Sequence, residues 1–392
     1  MLKFVIMSGS ILVIAVLLGS LTRASKEPVT TEVRKKGQSE IGVDWYKEFE
    51  SRYDNPNVGL YDRAKGSPGW TYTYPVYSYL SMYRAKKDPR WLDHTVVRID
   101  NLIEQMRDVP DQGNDYWPGY KDGFKGWGSK KYTDQYDEFL VHDGHVSGAI
   151  VQFVKAIYAD PGLHERFKEK ADHYLDTIEG NVVIKWYASR NAERGTETHL
   201  REWGGWRNIP HNQYLAFGTL CLVLQEVSQS PHYIGKNLDL PDFYLKTALE
   251  MAQFFKDDLR RHKPADAYLW DYKVKGRRED TGHANLDIEF VIRAYRQGIV
   301  FDETDMKRFA NTFVHVLWNR DEETPEFRSH VDFEYGRDVG DYQLRRWIWL
   351  YEFDPQVGRL VSQYYLSHPN LKRVNEVIAN LACWQAEVVL GD

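Results

Sequence analysis

The chain has 392 residues, of which 42% are apolar, 28% charged and 14% aromatic, a balance that supports a large packed core and excludes an intrinsically disordered chain. Its formal net charge of −6 argues against general nucleic-acid binding, which needs a basic surface, yet leaves room for an acidic substrate held in a local basic cleft. Two cysteines exclude a disulfide framework, and Cys221 sits in the apolar run Leu220–Leu224, where a buried thiol is expected.

The chain opens on a leader pattern. Lys3 supplies a positive start, Phe4 to Leu18 is an apolar run broken only by Ser8, Gly9 and Ser10, and Thr22-Arg23-Ala24 before Ser25 offers a small-residue cleavage site. The run is short for a membrane span, which needs about 20 apolar residues. Residues 1–24 therefore read as a signal peptide, with a retained anchor as the alternative, and no membrane span is expected after its removal. No cysteine near the end of the run supports lipoprotein processing. Removing the leader deletes Lys3 and Arg23 and no acid, which moves the formal charge from −6 to −8. A secreted or periplasmic destination follows. Residues 25–40 are polar and read as a linker.

Residues 41–392 read as one domain with no internal linker. A two-helix unit recurs along it. Tyr72 to Arg84 and Arg90 to Arg107 flank Asp88-Pro89. Residues 143–178 hold an almost wholly apolar first half, a stop at Asp160-Pro161-Gly162, and a second half with charges between apolar residues at helical spacing. Pro210 to Val227 pairs with Pro241 to Arg261, Gly282 to Gln297 with Glu303 to Trp318, and Gly340 to Phe353 with Gln356 to Leu366. Leu371 to Leu390 and Val43 to Arg52 could complete a ring. First helices that are apolar nearly all round need neighbours on both sides and a layer behind. The fold class is therefore all-α, an (α/α) barrel or toroid of about six helical hairpins, with an open solenoid as the alternative.

In such a ring the loops that feed the inner helices gather at one mouth. They are Val141–His145 (VHDGH), Trp206–Tyr214 (WRNIPHNQY), Arg278–Asp287 (REDTGHANLD) and Phe333–Tyr342 (FEYGRDVGDY). His145, His211 and His283 each fall where an inner helix begins. The plain explanation is that Asp143, Asn208 and Asp280 or Thr281 cap the helices while each histidine serves a nearby carbonyl. Capping accounts for Asp and Thr but does not require His, so the set reads as a site. Three histidines could hold zinc, but no HExxH or similar spacing accompanies them, so the reading is a metal-free site without a cofactor. Aromatic residues stand among glycines and charges nearby: Trp117, Tyr120, Phe124, Trp127, Trp203, Trp206, Tyr268, Trp270 and Tyr272. Lys130, Lys131, Arg201, Arg207, Lys273, Lys275, Arg277 and Arg278 share these segments. Loop aromatics can pack locally or stack on sugars. Beside basic side chains they fit an anionic carbohydrate.

Hydrolysis of a sugar polymer needs two carboxylates flanking the scissile bond. Asp143, Glu202, Glu279, Asp280 and Asp287 are candidates, and the sequence singles out no pair. β-Elimination from a uronic acid needs a group to neutralise the C5 carboxylate, a base for the C5 proton and an acid for the leaving oxygen. Asn208, His211, Asn212 and Tyr214 lie in one short segment, and Tyr272, Arg277, Arg278 and His283 in another, an inventory that fits elimination better.

At NIPHNQY (residues 208–214) and at the WDY…EDTGHANLD segment (residues 270–287) the chain resembles the metal-independent polysaccharide lyases of (α/α) toroid fold, of the alginate and glucuronan lyase kind. The resemblance implies that Asn208 or Asn212 neutralises the carboxylate with help from Arg278. It makes His211 a base, Tyr272 the general acid or second base, and His283 an orienting or neutralising group. Trp127, His145, Trp203, Trp206, Arg207, Tyr214, Trp270, Arg277 and Tyr335 are then expected to bind substrate. No C-terminal β-sandwich domain of the sort some of these lyases carry is matched. A glycoside hydrolase, an epimerase and a non-catalytic glycan-binding protein are the alternatives.

Overall fold

Apolar residues repeating at helical spacing produce a chain that is mostly helical. The computed structural model describes residues 42–62, 68–108, 123–129, 137–189, 205–331, 343–368 and 375–389. The leader and linker, Trp117, Tyr120, Lys130, Lys131, Arg201, Glu202, Trp203 and Tyr335 lie outside the described residues. Twelve α-helices are found among those described: α1 (Trp45–Tyr53), α2 (Tyr74–Lys86), α3 (Arg90–Glu104), α4 (Leu140–Tyr158), α5 (His164–Thr177), α6 (Ile184–Ser189), α7 (His211–Ser228), α8 (Leu240–Asp258), α9 (Ala284–Arg296), α10 (Glu303–Asn311), α11 (Gln356–Ser367) and α12 (Asn375–Trp384). Two short antiparallel ribbons accompany them: β1 (Gly128–Ser129) with β2 (Asp137–Glu138), and β3 (Arg260–His262) with β4 (Ala267–Leu269). No helix among the described residues is long and apolar enough to cross a membrane.

The hairpin grammar reappears in space. α2 packs on α3, α4 on α5, α7 on α8 and α9 on α10. The first member of each pair is the more enclosed. α4 is buried over nearly its whole length, and α7 likewise, because apolar or small residues cover every side of both. These two helices pack closely against each other. A Cβ at Gly144 would lie 2.5 Å from the backbone nitrogen of Phe217, so only glycine admits that crossing. Further neighbours are α2 with α4, α7 with α9, and α12 with both α2 and α1. Cys221 and Cys383 are both free and buried.

The fifth hairpin differs from the sequence expectation. Its first member is a 3₁₀ segment, Trp347–Glu352, and residues 332–342 before it lie outside those described. The run WIWLYE is rich in aromatic and β-branched residues of low helix propensity. Side-chain anchors hold it instead: Trp347 Nε1 donates to the Thr281 carbonyl at 3.0 Å, and the Arg346 backbone nitrogen donates to Asn285 Oδ1 at 2.7 Å.

Arg346 is the most connected charge in the interior. It is fully buried, bonds Glu376 Oε1 through Nε at 2.8 Å, pairs with Glu289, donates to His145 Nε2 at 2.8 Å and stands 4.2 Å over the Tyr77 ring. One guanidinium therefore ties together α2, α4, α9 and α12. A buried charge persists only when such partners satisfy it.

Candidate active site at the helix starts

The starts of α4, α7 and α9 come together. Phe139 just before α4, Val141 from α4, Ala216 from α7 and Leu286 from α9 form a small apolar cluster apart from the main core, and Trp70 packs over it. The loop between β4 and α9 joins the same end. The His211 backbone nitrogen donates to the Tyr272 carbonyl at 2.9 Å, and the Tyr272 ring lies 5.2 Å from that of His283.

The three expected histidines meet different fates. His145 is buried, donates from Nδ1 to the Gly69 carbonyl at 2.5 Å and accepts from Arg346 at Nε2. Burial first, then the charge of Arg346, hold it neutral by pushing its pKa well below the ordinary value. His211 is fully buried with both ring nitrogens engaged: Tyr214 Oη donates to Nδ1 at 2.7 Å, and Nε2 donates to Asp258 Oδ2 at 2.9 Å. Neither ring nitrogen is left for a substrate. His283 alone is partly exposed. Its Nδ1 donates to Asp280 Oδ2 at 2.5 Å, which leaves Nε2 outward of that bond.

Asp280 acts twice, since its Oδ1 also accepts from the His283 backbone nitrogen at 2.9 Å and so caps the turn into α9. Burial raises its pKa, but the hydrogen bonds and charge of His283 outweigh it, and the carboxyl stays below its ordinary range. Asp143 is not a cap, contrary to expectation. It lies inside the first turn of α4, where its carboxylate pairs with the buried Lys185 at 2.6 Å and accepts from Trp186 Nε1 at 2.8 Å.

Tyr272 is partly buried with the Arg277 guanidinium 4.8 Å over its ring. Burial and the neighbouring Glu279 charge raise its pKa against the pull of Arg277, so the phenol keeps its proton at neutral pH. Arg278 is tied to Asp271 Oδ1 at 2.9 Å. Arg207 and Asn208 are exposed on the 3₁₀ turn Trp206–Asn208, with Arg207 stacked 4.2 Å over Trp206.

Asn212 is the most unusual residue of this end. It is fully buried, and among the described residues neither its amide nitrogen nor its amide oxygen has a hydrogen-bond partner. Buried amides are almost always paired, so an orphan of this kind asks for an explanation. Asn212 lies one helical turn before Ala216 and so faces the apolar cluster under Trp70.

The expected sugar-stacking tryptophans are corrected. Trp127 is 1% exposed with Nε1 donating to the Leu102 carbonyl. Trp270 is 0% exposed, packed on Phe309 and Trp347, with Nε1 bonded to Asp287. Trp206 and Tyr214 pack on each other and on Phe254. Core packing occupies these rings and leaves no face for a sugar.

Sequence reasoning missed Trp70, whose indole touches three histidines, and His142, fully buried at 6.2 Å from it. Trp70 follows the turn run Lys65-Gly66-Ser67-Pro68-Gly69 but has no histidine near it in the sequence, and only the fold brings it here. The carboxylate pairing was also invisible. Glu279 and Asp287 are both fully buried and hydrogen-bond each other. Burial above all pushes both up, Asp287 to about 8, so the pair holds a proton at neutral pH. Glu279, Asp280 and His283 bring ligand atoms within 4.8 Å of one another and are the residues that could hold a metal ion. The zinc site imagined from His145, His211 and His283 is not formed, because the ring nitrogens of the first two are occupied. Compared with known proteins, the chain matches no family model and no curated protein sequence.

Proposed function

We propose that the chain is an exported polysaccharide lyase that cleaves a uronic-acid polymer of the alginate or glucuronan kind by β-elimination, on an (α/α) toroid. The ring is supported by the neighbour relations. They run from α2 to α4, α7 and α9, on to the segment Trp347–Glu352, then to α12 and back to α2, with Arg346 reaching four helices inside that circuit.

The observation that carries the functional reading is the amide of Asn212, buried without a partner among the described residues, on the residue next to His211, whose backbone nitrogen holds the Tyr272 carbonyl of a Tyr–His pair. An orphan amide donor is costly in the free protein and is explained if it receives the substrate carboxylate. Roles assigned from sequence shift with the geometry. Asn212, aided by Arg277 at Tyr272, neutralises the C5 carboxylate. His283, oriented by ionised Asp280, takes the C5 proton at Nε2. The freed electron pair forms the C4–C5 double bond as the C4–O4 bond breaks. Tyr272, which keeps its proton, delivers it to the departing O4, and the products are an unsaturated uronate and a new chain end. His211 supports this arrangement from beneath by holding the Tyr272 backbone.

Hydrolysis is less well supported. Glu279 and Asp287 have the protonation a hydrolase acid needs, but each is sealed against the other and against Trp270 or the Asp280 backbone. Burial alone does not decide this, since Asn212 is equally buried. What differs is that each carboxyl has one oxygen bonded inside the fold, by Trp270 Nε1 or by the Asp280 nitrogen, whereas neither polar atom of the Asn212 amide has a partner among the described residues. The test is incubation of the protein with alginate, glucuronan and neutral glucans while following the ultraviolet absorbance of unsaturated uronates. Reducing ends released from a neutral glycan, with no absorbance rise on any polyuronate, would overturn the proposal.

A further inference from the structure

We infer that Trp70 is the sugar-stacking platform of this site, its indole trading the cover it gives a small apolar cluster for one face of a pyranose ring of the polymer next to His283. This rests on the lyase reading for the identity of the sugar, and on independent geometry for the platform itself. A stacking platform needs an aromatic ring with accessible surface, a fixed backbone and a place beside the reacting groups. The tryptophans expected to stack fail the first requirement, as Trp127, Trp206 and Trp270 are enclosed in the core. Trp70 is partly exposed.

Its backbone is fixed on two sides. It sits in a π-helical turn, Pro68–Tyr72, and the preceding Gly69 carbonyl accepts from His145 Nδ1 at 2.5 Å. Gly69 also lies so close to α4 that a Cβ there would be 2.5 Å from His142 Cδ2, a contact no other residue could make without moving the turn. The indole is in the right place. Its ring centroid is 6.0 Å from His145 and 6.1 Å from His283, and the Tyr272 ring lies 5.2 Å from that of His283. Beneath it lies the apolar cluster that includes Ala216, one turn from the orphan amide of Asn212. A sugar ring sliding under the indole therefore exchanges one apolar contact for another and brings its carboxylate to the amide. The pyranose C–H face is the class of surface a π-face accepts. The neutral His145 fixing Gly69 makes it a positioning residue rather than a proton donor.

The test compares Trp70→Phe and Trp70→Ala with the parent protein in steady-state kinetics on polyuronate. It adds tryptophan fluorescence titrated with oligouronates and with neutral oligoglucans, taken as parent minus Trp70→Phe because the chain has thirteen tryptophans. The expected result is a KM raised on the order of tenfold or more in Trp70→Ala with kcat changed by less than about threefold. Trp70→Phe should recover most of the loss, and the oligouronate-dependent fluorescence difference should come from Trp70. Polyuronate turnover with an unchanged KM in both variants overturns the platform and leaves the lyase reading intact. No turnover of any uronate, with a Trp70 signal on a neutral glycan, overturns the lyase reading and keeps the platform. No Trp70 signal with any sugar, under conditions where Trp70→Phe has an unaltered melting temperature, overturns the platform outright.

Discussion

Replacing Asn212 by alanine should make the protein more stable and much less active, and the two effects share one cause. In the free protein the amide is fully buried without a partner among the described residues, a state that costs about 1–3 kcal/mol relative to a satisfied or apolar group. Alanine removes that cost and adds up to about 0.7 kcal/mol of helix propensity in the first turn of α7. The cavity left by so small a side chain costs about 1 kcal/mol or less. The net is a gain of about 1–2 kcal/mol, which for a chain of this length corresponds to a melting temperature raised by roughly 1–4 °C. Activity moves the other way. Losing a preorganised donor to developing negative charge lowers kcat about 10²–10³-fold. Differential scanning calorimetry and initial rates on a polyuronate measure both sides. A variant that melts lower and cleaves as fast as the parent would refute the reasoning, because it would mean the amide is satisfied by the fold and takes no part in the site.

Three further outcomes follow from other features. Tyr272→Phe should lower kcat by about 10²–10⁴-fold with little change in KM or melting temperature, since it removes only a proton donor; unaltered kcat would misplace the acid. Asp287 has its pKa raised by burial to about 8 in the fold, so its contribution to stability is fully present below the unfolded value near 4 and is lost as pH rises toward 8. Asp287→Asn, which keeps the acceptor for Trp270 Nε1, should flatten the fall in melting temperature over that window; an unchanged slope would contradict the buried shared proton. Arg346→Ala should destabilise by about 3–5 kcal/mol, because Glu289 and Glu376 would each lose one buried cation and keep only Arg293 and Arg345; a loss under about 1 kcal/mol, by denaturant titration, would contradict the interior network.

Much of the fold was legible because hairpin grammar is local. The stop at Asp160–Gly162 ends α4 where Asp160 Oδ1 takes the Gly162 nitrogen, and α7 and α8 begin within a residue of their prolines. The 3₁₀ run Trp347–Glu352 was not legible, since long-range anchors at Thr281 and Asn285 decide it. The candidate site was half legible. His283, Tyr272 and Asn212 were read from turn chemistry that the sequence displays. His211 and His145 looked equivalent to His283 in sequence, and only tertiary partners separate them: Asp258 from the end of α8 and Arg346 from before Trp347. The tryptophans misled for a related reason. Trp127 and Trp270 stand among polar residues, yet each is enclosed by long-range partners, Trp127 through the Leu102 carbonyl and Trp270 through Asp287, Phe309 and Trp347. Trp70, after a Gly-Ser-Pro-Gly run in the sequence, lies with its indole beside His142, His145 and His283.

The central claim is β-elimination on a uronate, and the most direct test is the ultraviolet absorbance of unsaturated uronates released from alginate and from glucuronan by the intact protein. A rise is expected on at least one of them, lost in Tyr272→Phe. Silence on both, with new reducing ends from a neutral glucan, would contradict it.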